Sequence, residues 1–193
     1  MKRSSLFLIA AAMAAVAATP PLVAREPFAK AHVSMMARAQ NGGREARLAE
    51  VDVFAEGTRL RARLRGEPKA GEFWVDGLAS PVLRLVEGQV AEPRRHTLER
   101  ALLMAFAASP SLASANTDRI AGHPCKIASQ TLPGGATLTR CLWRGLPLSV
   151  ELHAGAFSFN AAASLVEEGA VSVADLQPPP GAPAAPASLS AGR

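Results

Sequence analysis

Hydrophobic and polar residues alternate along most of this chain. Apolar side chains occupy every second position in three early segments, residues 32–39, 47–55 and 59–65. This period of two is that of a β-strand with one buried and one solvated face. The clearest case is RLRARLR at 59–65, in which leucine and alanine alternate with arginine. The same pattern predicts further strands at 72–77, 81–88, 125–132, 136–144, 146–153 and 156–168.

One segment departs from the alternation. Residues 96–109 carry apolar side chains at helical spacing: Leu98, Ala101, Leu102, Ala105 and Phe106. Thr97 is a plausible N-cap, and Pro110 marks the far end of the segment. A mainly β, α+β fold follows, in which one amphipathic helix lies on an antiparallel sheet.

Both ends of the chain are expected to lie outside this domain. Lys2 and Arg3 followed by an apolar run to Ala18 are typical of a signal peptide, which we assign to residues 1–24. The proline- and alanine-rich residues 181–193 cannot bury enough surface to order themselves, so we expect a disordered tail there. The predicted domain spans residues 26–180. The mature protein should be periplasmic or secreted, and soluble.

Cleavage at Ala24 would remove two of the positive charges and reduce the formal net charge from +5 to +3. This mild basic balance permits contact with anionic surfaces and gives no indication of nucleic-acid binding.

The two cysteines are the only ones in the chain, and an exported protein meets an oxidising compartment. Cys125 and Cys141 flank a Pro-Gly-Gly turn, and their numbers sum to 266, which centres a hairpin on residue 133. Opposed or nearly opposed cysteines in a hairpin suit a disulfide. A metal site would need more ligands than His123 adds, and the spacing differs from a C-x-x-C redox pair.

The C-terminal half resembles a group of bacterial periplasmic domains similar to the LolA/LolB-type carriers of lipoproteins. The matching residues are Gly122, His123, Cys125, Cys141, Gly145, Pro147, Leu148, Val173, Leu176, Pro179 or Pro180, and Gly181, with Arg59 and Arg61 in the N-terminal half. The resemblance covers most of residues 30–181. It implies a curved antiparallel sheet that forms an unclosed half-barrel, with the helix covering the concave face and acyl chains as the ligand.

Seven apolar residues are candidates for the lining of such a cavity: Met35, Val51, Leu64, Trp74, Leu102, Phe106 and Trp143. Each could equally be ordinary packed core, since an inner face can be filled by the protein's own side chains.

A second candidate surface is the row of Arg59, Arg61, Arg63 and Arg65. It could contact lipid headgroups of an anionic membrane or an acidic partner. It could also be a solvated outer face whose charges protect the sheet from aggregation.

The chain has no recognisable catalytic or metal-binding motif, so we expect no enzyme, no metal and no cofactor. The sequence predicts a monomeric binding protein for an acyl-chain or lipid-like ligand, or for a lipoprotein. The alternative is a structural or protein-interaction module with a self-filled core.

Overall fold

Eleven strands, one α-helix and one short 3₁₀ helix make up the computed structural model, which describes residues 26–65, 71–76, 83–86, 89–91, 97–107 and 116–177. The predicted signal peptide and the predicted C-terminal tail lie outside these ranges. The strands of the N-terminal half are β1 (Phe28–Asn41), β2 (Arg47–Gly57), β3 (Arg59–Arg65), β4 (Gly71–Asp76), β5 (Leu83–Val86) and β6 (Gln89–Ala91). After α1 (Leu98–Ala107) come β7 (Thr117–Ile120), β8 (His123–Thr131), β9 (Thr137–Trp143), β10 (Leu146–Ala154), β11 (Phe157–Glu168) and the 3₁₀ helix Val173–Leu176.

All eleven strands form one sheet in the order β6-β5-β4-β3-β2-β1-β11-β10-β9-β8-β7. Every neighbouring pair is antiparallel. Since β6 and β7 stand at opposite ends of this order, the sheet does not close into a barrel. The predicted mainly β fold, an unclosed antiparallel sheet with one helix, is confirmed.

The predicted alternation matches the pattern of burial. Alternate side chains of β1, including Val33, Met35 and Ala37, are buried, and their register partners Val53, Val51 and Ala49 in β2 are buried with them. Partners across a ladder point to the same face, so these residues form the inner face of the sheet. Helix α1 packs against this face and contacts β1, β4 and β10.

Three elements differ from the prediction. The strand expected at 81–88 is confined to β5, and β6, which pairs with it, begins at Gln89 beyond the predicted range. Strand β7 was not predicted, because TDRI has no apolar alternation and all but its last residue are exposed. Thr97 caps α1 as predicted, since its hydroxyl accepts a hydrogen bond of 3.2 Å from the Arg100 amide.

Within the described residues, no helix has both the length and the apolar character needed to cross a bilayer.

The N-terminal end of β1 passes very close to the turn between β9 and β10. The Ala29 amide donates to the Arg144 carbonyl at 2.9 Å. Gly145 has φ +77°, and a Cβ built on it would lie 2.9 Å from the carbonyl oxygens of Glu26 and Pro27. Glycine is therefore required at this position for both its backbone conformation and its lack of a side chain.

We expect Gly145→Ala to lower the free energy of unfolding by about 2–3 kcal/mol, because the energy of the strained φ angle and the energy of the backbone clash add together. Gly155→Ala is the matched control, since Gly155 has φ +60° and a Cβ added there would meet no atom within 4 Å. It should cost only about 1 kcal/mol. Equal losses for both variants in urea unfolding would contradict the close approach.

Candidate functional site

The candidate cavity residues on the first three strands lie side by side on the inner face. Met35, Val51 and Leu64 are register partners across β1, β2 and β3. All three are buried, as are Leu102 and Phe106 on α1. These five residues belong to one continuous hydrophobic core. In the described part of the chain, the centre of the inner face is therefore filled by the protein's own side chains.

Trp143 belongs to the same core and is 6% exposed. It lies on β9, three residues from Arg140, whose side chain points toward the helix. The ring of Trp143 contacts the ring of His123, with ring centroids 4.8 Å apart. Trp74 pairs with Arg61 in the backbone ladder of β3 and β4, and its side chain lies outside the described part of the structure.

Two buried charges fix the helix to the inner face. The guanidinium of Arg140 donates to the carbonyl of Ala105 at 3.1 Å, where the exposed carbonyls of a helix end attract a cation. Glu99 forms an ion pair of 2.6 Å with Arg47. Only 3% of the surface of Arg140 and of Glu99 is exposed. Sequence reasoning missed this pair of contacts, although Arg140 alternates with Leu138 and so shares its face.

An open cleft lies beside this packed centre, at the end of the inner face near the turn between β8 and β9. Its volume is about 590 Å³, within the range of roughly 300–1,000 Å³ for small-molecule sites. The helix side contributes Thr97, Arg100, Ala101 and Met104, the turn contributes Pro133, Gly134 and Ala136, and the strands contribute Leu152, Ala154 and Phe157. None of the six cavity candidates whose side chains the structure describes lines the cleft.

A smaller hollow of about 170 Å³ adjoins the cleft. Thr97 and Phe157 line both spaces. Most of the remaining residues that line the hollow are polar or charged: Gln40, Asn41, Arg44, Glu45 and Arg47, with Ala39 and Leu98. The cleft and the hollow therefore lie side by side, with several charged residues around the hollow and Arg100 at the cleft.

The arginine row of β3 lies on the outer face, and Arg61, Arg63 and Arg65 form ion pairs there. Arg61 and Arg63 both contact Glu72, at 2.8 and 3.0 Å. Arg65 contacts Asp52. Arg61 also donates to the Asp175 carbonyl at 3.3 Å and is only 8% exposed. The alternation predicts a solvated side chain at each of these arginines, but Arg61 is buried.

The Asp175 side chain belongs to the cap of the 3₁₀ helix that covers these arginines. Hydrogen bonds from the side chain and the backbone of Ser172 lower the pKa of Asp175 below its ordinary value. A group whose pKa is lowered on folding stabilises the folded state at pH values above its ordinary pKa. This stabilisation is lost as the pH falls through the lowered pKa. The cap is thus favoured at neutral pH.

A histidine, a serine and two acids also meet on the outer face. His32 lies 2.8 Å from Glu167 and 3.3 Å from Asp52, and it stacks on Phe54. The hydroxyl of Ser34 donates to Asp52 at 3.1 Å. In a nucleophilic triad the hydroxyl would donate to the histidine, which would act as its base. Here the hydroxyl is bonded to the acid, so the cluster lacks the arrangement that activates a serine.

No group of three or more metal-ligating side chains occurs among the residues that the structure describes.

The predicted disulfide between Cys125 and Cys141 is confirmed, with the Cα atoms 5.3 Å apart. The register differs by two from the predicted sum, since Ile127 pairs with Cys141 and Lys126 with Leu142. The cysteines are therefore diagonal neighbours across β8 and β9. The strand twist brings such diagonal positions within reach of each other.

Comparisons with known proteins give structural similarities alone. A scan against family models found no match, and a search of curated proteins found no relative. Similar solved structures include MucB, with 16% identity, a TM-score of 0.49 and coverage of 80% of this chain and 58% of that one. The Pseudomonas aeruginosa MucA/MucB complex has 17% identity, a TM-score of 0.42 and coverage of 77% and 56%.

A LolA superfamily protein from Nitrosomonas europaea is similar over 80% of this chain and 92% of its own length, with 10% identity and a TM-score of 0.43. That protein carries the name of the family that the sequence resembles. This chain spans 58% of the MucB chain that it matches. Similarities of this strength carry no argument about function.

Proposed function

We propose that this protein is a non-enzymatic, periplasmic binding protein that takes up an apolar ligand such as an acyl chain. The ligand enters the cleft between α1 and the turn of β8 and β9. The observation that carries the proposal is the 590 Å³ volume of this cleft. Apolar groups of Met104, Leu152 and Phe157 form much of its wall, and concave, mostly apolar surfaces of this size are typical of ligand sites.

The packing of the inner face supports this position for the ligand. Met35, Val51 and Leu102 are at most 1% exposed, so a ligand at the centre of the sheet would have to displace well-packed core. Displacing such side chains costs several kcal/mol. The end cleft offers space without that cost.

Two features support the proposed location and form of the protein. The charged and apolar start of the sequence is typical of an export signal. The disulfide fits an oxidising compartment. We therefore propose a soluble monomer outside the cytoplasm, released from its signal peptide.

Filling the cleft tests the proposal. Met104 is half-buried and lines the cleft, so Met104→Trp adds bulk where the ligand would lie. We expect the affinity for a long-chain alcohol, which carries an uncharged acyl-type chain, to fall at least tenfold because the two occupy the same space. Displacement of a fluorescent apolar dye measures this affinity.

Met36→Trp is the matched control. Met36 is 50% exposed on the outer face, so the same substitution there should leave the affinity unchanged. Thermal unfolding of both variants checks that the fold is intact. Equal affinities for the wild type and the folded Met104→Trp variant would reject the cleft as the binding site.

The second candidate function is a protein-interaction module with a self-filled core. The exposed side chains of Met36 and Leu48, 50% and 59% accessible, favour it because apolar groups on an outer face are common in docking surfaces. Native mass spectrometry of protein purified from its own host separates the two functions. Co-purified lipid supports the binding protein, whereas ligand-free protein that also fails to bind the dye favours the interaction module.

A further inference from the structure

We infer that the ligand of the cleft is an amphiphile with an anionic head group, carried as a free molecule with its own carboxylate or phosphate. This inference rests on the proposed function and specifies the chemistry of the ligand's head group. It follows from the charged residues that lie around the cleft and the adjoining hollow.

The backbone register shows that the two spaces are neighbours. Phe157 pairs with Ala154 of the cleft on one side and with Asn41 of the hollow on the other. Thr97, the cap of α1, lines both spaces as well. An elongated ligand can therefore lie with its chain along Met104 and Leu152 and its head beyond Phe157.

The charges at this end favour an anion. Arg100 reaches the cleft, and Arg44 and Arg47 line the hollow. Two glutamates lie with these three arginines: Glu45 lines the hollow, and Glu99 pairs with Arg47. Among the described residues this set has three positive and two negative formal charges, and the guanidinium geometry suits the oxygens of a carboxylate or phosphate.

The first turn of the helix adds to the same effect. The cap interaction between Thr97 and the Arg100 amide fixes this turn at the junction of the two spaces. Helix N-termini carry a partial positive charge, which stabilises a nearby anion. The apolar side chains of the cleft can thus contact an acyl chain, and the arginines can contact an anionic head group. A neutral lipid would gain only the contacts to the chain.

The experiment compares four ligands that share one oleoyl-type chain. They are oleate with a carboxylate, oleoyl lysophosphatidate with a phosphate, and oleyl alcohol and mono-olein with neutral heads. Isothermal titration gives the affinity of each for the wild type, Arg100→Gln and Arg44→Gln. The control is Arg38→Gln, since Arg38 is exposed on β1 at a position paired with Leu48 and Asn160 of the outer face.

We expect at least one anionic ligand to bind about tenfold more tightly than the neutral ones. Each glutamine variant in the site should lose most of that preference, because one charge-assisted hydrogen bond corresponds to about a tenfold change in affinity. Arg38→Gln should keep it. Preference for oleate alone identifies a carboxylate head, and preference for the lysophosphatidate alone identifies a phosphate head.

Two results would overturn the inference in different ways. Equal binding of neutral and anionic ligands by the wild type would reject the anionic head group and leave the proposed acyl-binding function standing. Failure of all four ligands to bind would reject both the anionic head group and the acyl-binding function. Unchanged oleate and lysophosphatidate affinities in Arg44→Gln, whose side chain is exposed and so does not endanger folding, would also reject the cationic end.

Discussion

Replacing Phe106 by alanine is expected to lower the free energy of unfolding by about 3–5 kcal/mol. Phe106 is 3% exposed and belongs to the continuous core beneath α1. It does not line the cleft, so the substitution leaves a cavity in packed protein and removes nothing from the proposed ligand site. The loss should appear in urea unfolding followed by far-UV circular dichroism.

Leu48→Ala is the control for this result. Leu48 is 59% exposed, and truncating a solvated side chain should change the stability by less than about 0.5 kcal/mol. Affinity for the apolar dye should stay the same in both variants at temperatures where they are folded. A stability loss below about 1 kcal/mol for Phe106→Ala, together with a changed dye affinity, would place Phe106 in a ligand space.

Removal of the disulfide is expected to have the next largest effect. The double variant Cys125→Ser with Cys141→Ser should lose about 2–4 kcal/mol, because the open chain regains the conformational freedom of the loop between the cysteines. The residues are 16 apart in sequence. Ligand affinity of the folded variant should be unchanged, since the disulfide lies on β8 and β9 and neither cysteine lines the cleft.

Reduction provides the matched control for the serine variant. A reductant should destabilise the wild type by a similar amount and leave the double variant unaffected. Thiol titration of the mature, oxidised protein under denaturing conditions should find no reactive thiol. Two reactive thiols, or a double variant as stable as the wild type, would contradict a stabilising disulfide.

The strand pattern could be predicted because its cause is local. In RLRARLR every second side chain must face the core, and the structure buries Leu60, Ala62 and Leu64. Strand β7 carries no such signal, because it lies at the end of the sheet order and has almost no buried residue. Its pairing with β8 depends on the neighbouring backbone.

The disulfide shows the limit of counting along a hairpin. The two cysteines and the intervening turn were sufficient to predict the bond. The sum of 266 predicted opposed or nearly opposed cysteines, and the observed register pairs Cys141 with Ile127, which makes the cysteines diagonal neighbours. The length of the turn sets that register, and the composition of the turn alone does not reveal how many residues it contains.

The order of amino acids alone established which faces of the strands are apolar, where helix α1 lies and which cysteines form the disulfide. These features depend on side-chain periodicity and on neighbours within one hairpin. What fills the inner face became evident only once the elements were packed together. Met35 and Phe106 proved to be packed core, and the open cleft formed from Met104, Ala136 and Leu152, on three separate segments. Alternation marks a side chain as buried, but the space left between packed elements depends on how all of them fit together.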